Sequence, residues 1–157
     1  MLAQKIKVLI ADDHIIFRRG LKMLLASIDG IELVGEAENG LDLLAVAGRY
    51  TPDVFLIDIS MPVMDGVMAT KELCKRHPGA KVIALSVFGQ ETHIMEMLDA
   101  GALGYLMKNA DKDDIEQAIV SVYNNRSYFC TESNKQVKDL IEKFQSGSKE
   151  HLVVFSE

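Results

Sequence analysis

Val54-Phe55-Leu56-Ile57-Asp58 is a run of four apolar residues closed by one carboxylate. A strand with one wet face alternates apolar and polar residues, whereas an unbroken apolar run suits a strand buried on both faces of a parallel sheet. The same arrangement recurs along the chain. Val8-Leu9-Ile10-Ala11 runs into Asp12-Asp13, Val82-Ile83-Ala84-Leu85 into Ser86, and Tyr105-Leu106-Met107 into Lys108. Between these runs the apolar spacing changes to a helical period. Phe17, Leu21, Leu24, Leu25 and Ile28 fall on one helix face. Ile31 to Ala37 is a weaker strand, interrupted by Glu32 and Glu36 as at a sheet edge. Asn39 can cap a helix running to about Gly48, and Pro62, Asp65 and Gly66 form a loop before a helix through Val67 and Leu73. Gly89 precedes a helix bearing Ile94, Met97 and Leu98, and Asp111 can cap one bearing Ile115, Ala118, Ile119 and Val122.

Five strands thus alternate with five helices. That alternation predicts an α/β fold, a doubly wound five-stranded parallel sheet with helices on both faces. Ligands in such sheets sit beyond the carboxyl ends of the strands. Asp12, Asp13, Asp58, Ser86 and Lys108 all stand at that end, so three acids, a hydroxyl and an amine are expected in one pocket.

The chemistry of such a set is specific. Three close carboxylates repel one another and a bound cation removes the conflict. Oxygen ligands favour Mg²⁺, which keeps several waters in its octahedron. Asp13 and Asp58 are the expected direct ligands, with Asp12 as a further or water-bridged one and the Ser60 backbone carbonyl as a third contact. Asp58 can then attack phosphorus, since aspartate forms aspartyl-phosphates. Lys108 and the Ser86 hydroxyl would neutralise the remaining phosphoryl oxygens. Ser86 moving toward the new charge would leave space for Tyr105 and change the surface. Taken alone, Asp12-Asp13 would more simply cap the first helix, and His14 carries no catalytic pattern.

Composition narrows the classes. Of 157 residues 48% are hydrophobic, and 17 Lys and Arg against 23 Asp and Glu give a net charge of −6. This argues against a nucleic-acid-binding face on this segment. Cys74 and Cys130 have neither CxxC spacing nor a disulfide framework around them and read as thiols in a reducing compartment. Asp12 and Asp13 cut the first apolar run short, so no signal peptide is read, and no run reaches the length of a membrane span. A cytoplasmic protein with no membrane association is expected.

These residues also carry a resemblance. Val8 to His14, the segment Asp58-Ile59-Ser60-Met61-Pro62-Val63-Met64-Asp65-Gly66, the strand ending at Ser86, and Gly104-Tyr105-Leu106-Met107-Lys108 resemble the receiver domain of bacterial two-component response regulators, over roughly residues 5 to 125. The resemblance implies a flavodoxin-like fold with strand order 2-1-3-4-5 and a sensor histidine kinase as phosphodonor. It implies Asp58 as phosphoacceptor, Asp12 and Asp13 as the acidic metal pair, Ser86 as switch hydroxyl, Tyr105 as switch aromatic and Lys108 as the family's lysine. Many receivers place a proline after that lysine; here Asn109 follows.

The chain beyond residue 125 departs from the alternation. Ser133 and Gln136 form a capping box, and Val137, Leu140, Ile141 and Phe144 continue as an extra amphipathic helix before Ser146-Gly147-Ser148. Arg126-Ser127-Tyr128-Phe129 and this helix resemble the linker of NarL/LuxR-type regulators, and Val154-Phe155-Ser156-Glu157 is similar to the start of their helix-turn-helix domain. The expected organisation is a receiver over residues 1–125, with residues 126–157 leading to a DNA-binding domain in the natural protein. The apolar stripe either folds back or mediates a homodimer on phosphorylation. Two rivals are disfavoured. A haloacid-dehalogenase-type phosphohydrolase would need a second aspartate where Ser60 stands, and a nucleotide-binding domain would need a glycine-rich loop after the first strand. A phosphoacceptor that catalyses only its own phosphorylation and dephosphorylation is expected, not an enzyme with a separate substrate.

Overall fold

The computed structural model describes residues 4–87 and 93–130, with 139, 142 and 154–155. Strands and helices alternate as β1 (Ile6–Ala11), α1 (Ile15–Ala26), β2 (Ile31–Ala37), α2 (Gly40–Tyr50), β3 (Val54–Asp58), α3 (Gly66–Arg76), β4 (Lys81–Ser86), α4 (Ile94–Ala100), β5 (Gly104–Met107) and α5 (Lys112–Tyr123). All strand pairs are parallel, and the first five strands lie in the order β2-β1-β3-β4-β5. The expected doubly wound sheet is therefore present, with the interrupted strand β2 at its edge.

The core explains the unbroken apolar runs. Successive strand side chains point to opposite faces. Val8, Ile10, Val54, Leu56, Ile83, Leu85 and Leu106 pack with α1 and α5 residues Leu21, Leu25, Ile115 and Ile119. Leu9, Ala11, Phe55, Ile57, Val82 and Ala84 pack on the other face with Leu43, Ala69, Leu73 and Met97. Every residue of β3 is buried. Helix ends follow local chemistry: the side chains of Asn39, Asp65 and Asp111 each accept the backbone N–H three residues on, capping α2, α3 and α5.

One feature differs from the sequence reading. The sheet does not stop at β5. Tyr128–Cys130 forms β6, parallel to β5 with Phe129 opposite Tyr105, and Val154–Phe155 forms β7 beside β6, giving seven strands. Tyr128 and Phe129 were expected in a linker leading to a helix. Instead β5 has a free edge, and these two large apolar residues bury themselves along it. The extra helix expected from Ser133 to Phe144 lies outside the described residues. The acidic pair does not take the capping role it would have in isolation. The N-cap of α1 is His14, which makes no side-chain cap bond, because both aspartates turn toward the pocket.

Register brings the strand ends level. Ala11 pairs with Ile57, Asp58 with Leu85, and Ser86 with Met107. Asp12, Asp58, Ser86 and Lys108 thus end at one edge. The β3–α3 loop is held tightly there. Gly66 N–H donates to the Ile59 carbonyl at 2.9 Å, and a Cβ on Gly66 would lie 2.2 Å from the Asp58 carbonyl oxygen. The obstacle is backbone, which cannot rotate away. Gly66→Ala is expected to lower stability by about 1–3 kcal/mol, the usual cost of overpacking. A urea unfolding midpoint unchanged from the parent would contradict the close approach.

Candidate functional site

Asp58 closes β3 and is 1% exposed, and Asp12 follows β1 and is 0% exposed. Asp13 is more open. Oxygens of these three carboxylates and a nitrogen of His14 lie within 4.8 Å of one another. Lys108, extending from the end of β5, enters the same group: its Nζ is 2.6 Å from Asp12 Oδ2 and 3.1 Å from Asp58 Oδ2. The ammonium also lies 4.7 Å from the centroid of the Phe17 ring, a cation–π contact that holds the lysine stem against α1. The structure thus brings together Asp12, Asp13, Asp58 and Lys108 from three separate strand ends.

Loop backbone steers the carboxylates. Ser60 N–H donates to Asp58 Oδ1 at 3.2 Å, and His14 N–H to Asp12 Oδ1 at 2.8 Å. The Arg18 guanidinium donates to the Asp12 carbonyl and pairs with Glu36 on β2, tying α1 to the edge strand below the pocket. Among the described residues Asp12 Oδ2 is buried and makes no aligned hydrogen bond, though the Lys108 ammonium pairs with it at 2.6 Å. A buried carboxylate oxygen without a hydrogen bond, among two more carboxylates, fits a divalent cation.

Burial pushes the Asp58 carboxyl up to about 6, and the charge of Asp12 adds to the rise; Lys108 and the Ser60 N–H oppose it. The folded pKa lies above the unfolded one. Asp58 therefore favours folding below pH 4, and this contribution is lost as pH rises through about 6. A cation reverses the effect by favouring the ionised form. The melting temperature without metal is expected to fall from pH 5 to pH 8, and Mg²⁺ to raise it more at pH 8 than at pH 5. Equal Mg²⁺-induced shifts at both pH values, by scanning calorimetry, would contradict this.

Ser86 and Tyr105 form a second cluster. The Ser86 hydroxyl is within 2.8 Å of the Tyr105 hydroxyl and 3.5 Å from Met107 Sδ, and the Tyr105 hydroxyl donates to the same sulfur at 2.8 Å. Both residues are 0% exposed. Tyr105 therefore already sits inside, bonded to Ser86, where the sequence suggested it would fill space vacated by a moving Ser86. No hydrogen bond joins Ser86 to the carboxylates among the described residues. The peptide bonds of the described residues, Lys108–Asn109 included, are trans.

Sequence reasoning passed over His14, Phe17 and Met107. His14 Nδ1 lies 3.1 Å from Asp12 Oδ1, 3.5 Å from Asp13 Oδ1 and 3.8 Å from Asp58 Oδ2. Its position directly after the acidic pair was the available signal. Phe17 and Met107 read as ordinary core residues, and nothing in their spacing distinguishes them. No described helix is long and apolar enough to cross a membrane.

The response regulator receiver domain model matches residues 8–120. The transcriptional regulatory protein DegU of Brevibacillus brevis is 40% identical over 124 residues, 79% of this chain and 52% of its own length. The response regulator GacA of Pseudomonas protegens is 37% identical over 152 residues, 97% of this chain and 70% of that protein. The signal receiver domain of NarL from Mycobacterium tuberculosis superposes with a TM-score of 0.74 at 29% identity, covering 79% of this chain and all of that one. The chain spans about half the length of DegU. Receiver domains bind Mg²⁺ at an acidic pocket and partner with a histidine kinase, and the pocket at the end of β3 is acidic. Sheet order, motif order and the match over most of the sequence agree: the chain belongs to the receiver domains of two-component response regulators.

Proposed function

We propose that Asp58 is the phosphoacceptor of this receiver. The observation that carries the reading is its position: a buried carboxylate held 3.1 Å from an ammonium, with Asp12 and Asp13 beside it. An oxygen of Asp58 attacks the phosphorus of a kinase phosphohistidine. The O–P bond forms, the P–N bond breaks, and the departing imidazole takes up a proton. Asp12, Asp13, Asp58 and the Ser60 backbone carbonyl would hold Mg²⁺. When bound, the ion supplies charge neutralisation for the phosphoryl oxygens. Lys108 exchanges its Asp58 contact for a phosphoryl oxygen. The Ser86 hydroxyl leaves Tyr105 to donate to another, and that exchange couples the new charge to β5.

The chain catalyses its own phosphorylation and dephosphorylation and turns over no separate metabolite. In the natural protein residues 1–125 would form the receiver and residues 126–157 would lead to a helix-turn-helix domain that controls transcription. DegU is a transcriptional regulatory protein and the match covers only 52% of its length, which supports this output. A homodimer formed on phosphorylation belongs to the same reading, as does a cytoplasmic location. Incubation with Mg²⁺ and a small acyl phosphate is expected to add one phosphoryl mass by intact-mass spectrometry. Chelation should abolish the adduct; an unchanged mass in the presence of Mg²⁺ would overturn the assignment.

A further inference from the structure

The Lys108 ammonium occupies an unusual place: Asp12 Oδ2 at 2.6 Å, Asp58 Oδ2 at 3.1 Å and His14 Nδ1 at 3.1 Å surround it. It stands where a cation would be ligated, and one of its three neighbours is nitrogen. His14 Nδ1 is also 3.1 Å from Asp12 Oδ1 and 3.5 Å from Asp13 Oδ1. Adjacent ligand atoms in an octahedron of the 2.0–2.1 Å Mg²⁺ type are about 3 Å apart. The imidazole nitrogen is therefore spaced from the carboxylates as a neighbouring ligand would be.

The hydrogen bonding of that nitrogen is in conflict. Lys108 can only donate, so its contact is favourable when Nδ1 presents a lone pair. The Asp12 carboxylate can only accept, so its contact is favourable when Nδ1 carries the proton. Neither tautomer satisfies both. A dication resolves the conflict, because the Nδ1 lone pair and the carboxylate oxygens can all point at it. The buried Asp12 Oδ2, which makes no hydrogen bond, faces the same position.

We propose that His14 is a nitrogen donor to the cation in this pocket and makes it selective for borderline dications such as Co²⁺ and Ni²⁺ over Mg²⁺. The inference rests on the cation site of the proposed function. Imidazole suits the later transition ions, whereas Mg²⁺ favours oxygen and replaces a lost nitrogen with water at little cost. Such ions outbind Mg²⁺ at most mixed sites, so the measurable quantity is the share of selectivity that His14 carries.

The test uses the whole chain and its His14→Ala variant. His14 makes no cap bond to α1 and its side chain is 62% exposed, so the variant should fold; the melting temperature checks this. In pulsed EPR of the Mn²⁺-loaded protein, a directly bound ¹⁴N coupling is expected in the parent and absent in the variant. In calorimetric titrations, the ratio of Co²⁺ to Mg²⁺ affinity should fall at least about tenfold in the variant. A parent without ¹⁴N coupling, or an unchanged ratio, overturns the role of His14 and leaves the phosphoacceptor standing if Mg²⁺ still supports the Asp58 adduct. Failure of any dication to bind would instead overturn the cation site itself.

Discussion

Asp58→Asn is expected to remove the phosphoryl adduct completely, because the amide keeps the shape of the side chain but loses the anionic oxygen that attacks phosphorus. The same substitution should stabilise the protein in the absence of metal. Burial and the charge of Asp12 raise the Asp58 carboxyl from 3.8 to about 6, so at pH 8 the folded state holds an ionised group that it disfavours. One pH unit of difference is worth about 1.4 kcal/mol, which bounds the gain at roughly 3 kcal/mol; losing the Lys108 contact will reduce it. The gain should vanish below pH 4, where Asp58 is protonated in both states. Lost phosphorylation together with a large loss of stability would mean that Asn disrupts the loop. A surviving adduct would place the acceptor elsewhere.

Lys108→Met should have the second-largest effect, in the opposite direction for stability. The Lys108 side chain is 9% exposed, and its ammonium pairs with both Asp12 and Asp58. Its removal leaves two buried carboxylates facing each other. Breaking a buried pair from one side typically costs about 3–5 kcal/mol, and that loss is expected at pH 8 without metal. The loss should shrink at pH 5, where Asp58 can take a proton, and shrink again on adding Mg²⁺. The phosphorylation rate with Mg²⁺ present should drop by roughly 10²–10³, the usual cost of removing one donor to transition-state charge. A variant as stable as the parent at pH 8 would show that the ion pairs are not formed in solution.

The two variants separate structure from chemistry. Both abolish or slow phosphorylation, but one is expected to raise the melting temperature without metal and the other to lower it. Only a pocket in which the carboxylates are crowded beyond what one ammonium can neutralise gives that pair of signs. Cation binding relieves that crowding, and a phosphoryl group, which brings roughly −1.5 to −2 of charge, would add to what the cation and Lys108 must neutralise.

The amino-acid order alone determined the layered sheet and its functional edge. Unbroken apolar runs at Val8–Ala11, Val54–Ile57 and Val82–Leu85 have no wet face, so they require helices on both sides. Polar residues immediately after them must then collect at one end. Asp12, Asp13, Asp58 and Lys108 were legible for that reason. Tertiary contact decided the rest. Whether Asp12-Asp13 cap α1 or face the pocket depends on neighbours from β3 and β5, and so does the turning of His14 into the cluster. Phe17 under Lys108 and Met107 beside Tyr105 satisfy the same hydropathy pattern as any core residue, and pattern records burial without recording partners. The pairing of Tyr128 and Phe129 along β5 was equally hidden. A three-residue strand carries too little periodicity to announce itself, and it forms because β5 offers an open edge that only the assembled sheet possesses.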